Sequence, residues 1–252
     1  MKNGLALFLT LLFGCGQQTK QNTSADLADI ARNKTILLVD TSLKTNKNII
    51  EQIVYSTLLD CNKYLSNDSL TFNISPTPFN NKEIIKKMRG VAGVTVDSKH
   101  ISITIDPSVI SWKETLKYAV AHEYNHAYWM ENNFDIAFKW TLQNYLVFEG
   151  KADCFAHLLY PDVIAPWTSA LSEKEKCNLW TKIKPDLQLA DSSLNNEIMF
   201  GNKTYPLWGG YTLGFSIVKT ALKNNSNLPV KTWTNLTADK ILEMSDYKLG
   251  VH

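Results

Sequence analysis

The sequence predicts an α+β fold, with strands and helices in its N-terminal half and helices alone in its C-terminal half. Three observations predict it. Alternating apolar and polar runs end near Asp106, and beyond that point apolar residues recur at helical spacing. The helix-start patterns Ser111-x-x-Glu114 and Ser172-x-x-Glu175 both fall in this second region. Seven Trp, ten Tyr and ten Phe in 252 residues, with no internal repeats or low-complexity blocks, supply the bulk of a packed core.

The chain opens on Lys2 and the apolar run "LALFLTLLFG". A run of about ten apolar residues is too short to span a bilayer as a helix. It suits the h-region of a secretory signal. Its ending on Gly14-Cys15 resembles a bacterial lipobox, in which the cysteine becomes the lipidated N-terminus of the mature protein. The polar stretch "GQQTKQNTSADLADIARN" then reads as a tether. The expected organisation is a lipoprotein signal peptide over 1–15, a flexible tether over 16–33 and one domain over 34–252. It implies an extracytoplasmic protein held to a bacterial cell membrane by lipid on Cys15, at the outer membrane if the cell has one.

Within the domain, "TILLVD" (35–40) reads as a buried strand, "NIIEQIVYSTLLDCNKYL" (48–65) as a helix and "LTFNI" (70–74) as a strand. "NKEIIKKM" fits a short helix. "GVTVDSKHISITID" is a hairpin turning at Asp97-Ser98-Lys99, and Ile101, Ile103 and Ile105 share one face of its second strand. A helix of about twenty residues follows, starting before Trp112 at the Ser111 capping box and stopping at Asn132-Asn133. Further helices are expected from Thr141 to Tyr160 before Pro161, from Ser172, from Gly210 to Lys223 after "YPLWGG", and over "ADKILEM".

With 26 basic and 24 acidic residues, the charge balance gives no electrostatic case for nucleic acid. After Cys15 come Cys61, Cys154 and Cys177, which allow at most one internal disulfide. No CxxC pair is present to build a cysteine zinc site, and Cys154-x-x-His157 reads as helix packing.

The chemistry concentrates in "YAVAHEYNHAYWM". Residues four apart on a helix share one face, so His122 and His126 can offer two imidazole nitrogens to one ion. Glu123 points about 100° around the helix, beside the ion and not onto it, where it can act as a base toward water. A catalytic zinc takes three protein ligands and keeps a position open. "LVFEGKADCFA" on the next helix supplies Glu149 as the third ligand. Asp153, one turn further, is placed to accept the outer N–H of His122. Gly150 permits close approach of the two helices.

HExxH on one helix with Glu-x-x-x-Asp on a following one resembles the gluzincin metallopeptidases, the thermolysin-like group. More narrowly, "HEYNH", "FEGKAD" and "GGYTLGFSIVKTAL", in that order, resemble a family of predicted zinc-dependent proteases catalogued as a domain of unknown function. The likeness spans about Ile84 to Leu222. It implies a zincin-like domain with a mixed sheet, one zinc per chain and a peptide or protein substrate. It also implies an edge strand bordering the cleft, the place it gives to "ISITID". In thermolysin a late histidine helps to stabilise the oxyanion. Here His157 lies about 12 Å along the helix axis from Glu149, too far to share its ion. By elimination a tyrosine takes that role, Tyr211 or else Tyr205, beside backbone N–H groups of Gly209 and Gly210 at a helix start. A zinc-containing surface lipoprotein without turnover, and a zinc hydrolase acting on other esters or amides, are the alternatives the residues leave open.

Overall fold

The computed structural model describes residues 35–67, 69–135 and 138–247. The expected signal peptide over 1–15, with Cys15, and the expected tether over 16–33 lie outside the described residues.

Four strands form one mixed sheet in the order β1 (Thr35–Val39), β2 (Leu70–Pro76), β4 (His100–Ile105), β3 (Val91–Thr95). β1, β2 and β4 run parallel, and β3 pairs antiparallel with β4 across the expected hairpin. Among the described residues only one face is covered. Register stacks Leu37, Phe72, Ile101 and Thr95 across that face, with Ile74, Ile103 and Gly93 in the next row. The other face carries Asn73, Ser75, Ser102 and Thr104, as the alternation requires.

Two expectations change here. "TILLVD" is not a buried strand but the outer edge of the sheet. It pairs with β2 alone, and the uncovered face leaves Ile36 and Leu38 59% and 54% exposed. "ISITID" is not the edge strand at the cleft, because β4 is flanked on both sides. The first strand of the hairpin, β3, holds that edge.

The covering layer begins with α1 (Lys47–Asn62). Its buried stripe of Ile50, Ile53, Val54, Thr57, Leu58 and Cys61 follows helical periodicity. After the short α2 (Lys82–Lys87), α3 (Trp112–Asn133) packs on β3, β4 and α1, and it is buried almost throughout from Leu116 to Trp129. α3 starts where expected, but without the capping box. Ser111 has φ −90° and ψ 4°, so its side chain cannot reach back to the first turn and donates instead to Arg89 O at 3.4 Å.

α4 (Leu142–Leu159) is capped by Thr141, and α5 (Glu173–Ile183) by the complete Ser172–Glu175 box. α6 (Ser192–Phe200) and α8 (Val230–Asn235) were not foreseen, whereas α7 (Gly209–Asn224) and α9 (Ala238–Met244) match expectation. α4 and α7 pack most intimately. A β-carbon on Gly150 would stand 2.2 Å from Gly214 O, and one on Gly214 2.3 Å from Leu146 O. Gly150 therefore does permit close approach, but toward α7 and not α3. Among the described residues no helix is long and apolar enough to cross a membrane, and Cys61, Cys154 and Cys177 are all free thiols.

Candidate metal centre

α3 and α4 bring His122, His126 and Glu149 to one buried point. The two imidazole Nε2 atoms lie 3.0 Å apart, and Glu149 Oε2 stands 3.2 Å from His122 Nε2 and 3.3 Å from His126 Nε2. Ligands bound to tetrahedral zinc at about 2.0–2.1 Å sit roughly 3.3 Å from one another, so this triangle fits that ion. The donor set fits as well. Two imidazoles and a carboxylate, removed from water, turn their lone pairs toward a common centre that a cation would satisfy.

Asp153 fixes one of these lone pairs. It is fully buried, and its Oδ1 lies 3.1 Å from His122 Nδ1 while accepting from Trp167 Nε1 at 2.9 Å and the Tyr118 hydroxyl at 3.3 Å. With Nδ1 donating to a carboxylate, Nε2 of His122 is left as the donor toward metal. His126 has no such support, since its buried Nδ1 lacks a hydrogen-bond partner among the described residues; its ring is held by stacking on Phe148 at 3.9 Å. Burial pushes the His122 imidazole down in pKa, but Asp153 and then Glu149 outweigh burial and hold it well above its ordinary value. Burial pushes the Glu149 carboxyl up, and His126 and His122 outweigh it in the other direction, holding it low.

Glu123 stands beside this triangle. Thr95, at the end of β3, places its hydroxyl 2.7 Å from Glu123 Oε2 and 3.0 Å from the Glu123 carbonyl. Gly93 leaves the space for Oε1, which a β-carbon there would approach to 2.5 Å. The carboxylate is thus wedged between the helix that carries the histidines and the edge of the sheet.

A cleft of about 500 Å³ opens over these groups. One wall is β3 itself, and the opposite wall is aromatic: Trp140, Tyr145, Phe148, Trp167, Trp208 and Tyr211. Tyr211 is half-buried, and among the described residues no hydrogen bond holds its hydroxyl. Burial first, and Glu149 next, raise its pKa well above the ordinary value, so it stays a protonated donor. Tyr205 does not line the cleft, because its ring lies under the Lys182 ammonium at 4.4 Å. Of the two glycines before Tyr211, Gly209 has its N–H engaged. Gly209 N–H donates to Pro206 O, and Gly210 packs on Met199 of α6. Trp208, which lines the cleft, takes the left-handed conformation at φ 57°. Sequence reasoning missed Tyr145, although its place one turn before Glu149 on α4 was the available signal. Thr95 was missed as well.

The family described as "Predicted Zn-dependent protease (DUF2268)" matches residues 50–243. The chain belongs to this family. No curated protein and no solved structure matches it. The span shared with the predicted zinc-dependent protease family runs from within α1 to within α9, so it contains the histidine pair, Glu149, Asp153, Thr95 and both cleft tyrosines. The zinc dependence in the family description agrees with the buried His122–His126–Glu149 group.

Proposed function

We propose that the chain is a zinc-dependent peptidase in which His122, His126 and Glu149 hold one zinc ion and Glu123 is the general base. The observation that carries this reading is the position of Glu123, next to the ligand triangle, aimed at the cleft and held by Thr95. A site that only binds metal has no use for such a base.

Zinc bound there supplies Lewis acidity, which lets water release a proton near neutral pH and offsets charge on a carbonyl oxygen. The protein's own groups account for the rest. The edge of β3 offers main-chain donors and acceptors to an extended substrate, which favours a peptide over other amides and esters. Glu123 takes a proton from water as the water oxygen adds to the scissile carbonyl carbon. The Tyr211 hydroxyl donates to the carbonyl oxygen as negative charge builds on it. Glu123 then delivers the proton to the amide nitrogen, and the C–N bond breaks to leave a free amine and a carboxylic acid, whose remaining proton, the second from water, passes to solvent or to the amine.

The decisive experiment incubates purified protein with a mixed peptide library, with and without chelator, alongside Glu123→Gln. Chelator-sensitive cleavage is expected in the wild type. Glu123→Gln should keep zinc but lose about a hundred- to ten-thousandfold in rate. Full activity in that variant defeats the assignment; zinc binding without cleavage of any peptide, ester or amide favours a module without turnover. The proposed location is extracytoplasmic, anchored through lipid on Cys15, so Cys15→Ser should move the protein out of the membrane fraction.

A further inference from the structure

α4 has a second face. Cys154, next to Asp153, and His157 and Leu158, one turn further, line another cavity, of about 610 Å³, bounded by the end of α1, by α7 and by α8. Its walls are apolar, built from Tyr64, Phe215, Leu222, Leu228, Val230 and Trp233. Its charged groups are all lysines, Lys63, Lys219 and Lys231, beside the His157 imidazole, with no carboxylate among the lining residues. Lys63 is paired with Asp60 at 2.6 Å. Lys219 lies over the Phe215 ring at 5.2 Å, and among the described residues neither Lys219 nor Lys231 has an ion-pair partner.

We propose that this cavity binds a single-chain amphipathic anion, with its apolar chain against Phe215, Leu222 and Trp233 and its anionic head between Lys219 and Lys231. The size is that of a small-molecule site. Lining cations without counter-charge, here Lys219 and Lys231, raise the local concentration of anions, and lysine stems extend an apolar wall while their heads stay in water. Tyr64 and Leu158, 44% and 48% exposed, continue the apolar surface outward along the route a chain would enter. The walls come from helices and the loops that follow α1 and α7 and include no strand, which favours an aliphatic chain over an extended peptide. Burial and the Lys219 charge lower the His157 pKa, leaving a neutral imidazole to share hydrogen bonds with the head. The site lies across α4 from the metal centre and does not depend on the peptidase reading.

The test is titration calorimetry of dodecanoate into the full-length, zinc-loaded protein. One saturable site is expected, weakened at least tenfold in Lys219→Glu/Lys231→Glu and lost in Leu222→Trp, which fills the cavity. The two lysines are exposed, so the charge reversals should leave the melting curve unchanged. Dodecanol should bind at least tenfold more weakly, and a dodecyl phosphate arm tells whether a carboxylate or a phosphate head is preferred. The proposal is overturned if no saturable binding occurs, if dodecanol binds equally well, or if charge reversal has no effect. Loss of dodecanoate binding on chelation would place the ligand in the metal cleft and would overturn it too.

Discussion

The Thr95 hydroxyl stands 2.7 Å from Oε2 of Glu123, tying the last residue of the edge strand to the middle of α3. The bond holds one carboxylate oxygen and leaves the other beside Gly93. Thr95→Val keeps the shape and deletes the donor. Hydrogen bonds to charged groups are worth about 1.5–3 kcal/mol, so turnover should fall roughly ten- to hundredfold with zinc content unchanged. Metal analysis beside single-turnover kinetics checks this, and wild-type turnover would reduce Thr95 to packing.

Two cleft tyrosines, Tyr211, proposed as the oxyanion donor, and Tyr145, can be tested for that role separately. Tyr211→Phe should cost about a hundred- to a thousandfold in kcat with little change in KM or zinc content. Tyr145→Phe should cost much less. The reverse order would transfer the role to Tyr145, whose raised pKa, caused by burial and then Glu149, also keeps it a donor.

The metal-free protein should show a particular pH dependence. The raised His122 pKa contributes stability that is complete below the ordinary value of 6.5 and is lost as pH rises through the raised value. The lowered Glu149 pKa contributes stability present above the ordinary 4.5 and lost as pH falls through the lowered value. Both contributions coexist between those two ordinary values, where the chelated protein should melt highest. Zinc must displace the proton on His122, so its stabilising effect should grow from about pH 6 to about pH 8. Thermal scans with and without zinc at the two pH values decide the matter; a zinc effect independent of pH would contradict it.

Gly150→Ala should destabilise by about 1–3 kcal/mol, the usual range for overpacking, because its β-carbon would meet Gly214 O at 2.2 Å. Gly214→Ala should do the same. The double variant should fall short of the sum, since both substitutions open one shared contact. Denaturant unfolding measures all three, and strict additivity would mean that the helices relax independently.

The metal triangle was legible because its geometry is local. Helical spacing alone places His122, His126, Glu149 and Asp153 on usable faces, and only the pairing of α3 with α4 had to be supplied. What was not legible depends on pairings remote in sequence. Parallel pairing of β2 with β4 pushes β3 to the edge, and no periodicity in "ISITID" reveals which neighbours it has. Thr95 reaches Glu123 across 28 residues, so nothing near either residue announces the bond. "TILLVD" has the composition of a buried strand, yet one face of the sheet is left without a covering helix. Ser111-x-x-Glu114 has the letters of a capping box, but the backbone at Ser111 follows the tight turn after β4.

The backbone contact of Gly150 with Gly214 constrains how the cleft can breathe. Glu149 precedes the first glycine and Tyr211 lies three residues before the second, so a proposed metal ligand and the proposed oxyanion donor ride on two helices in van der Waals contact along their main chains. The two glycines let the main chains meet there, with the Val218 side chain closing the contact beside Gly150, so neither helix can roll or slide without collision. α4 and α7 therefore behave as one rigid jaw. Entry of a bulky substrate has to be accommodated by the opposite side, where β3 is an edge strand held by its hydrogen bonds to β4, by packing on α3 and by the Thr95–Glu123 bond.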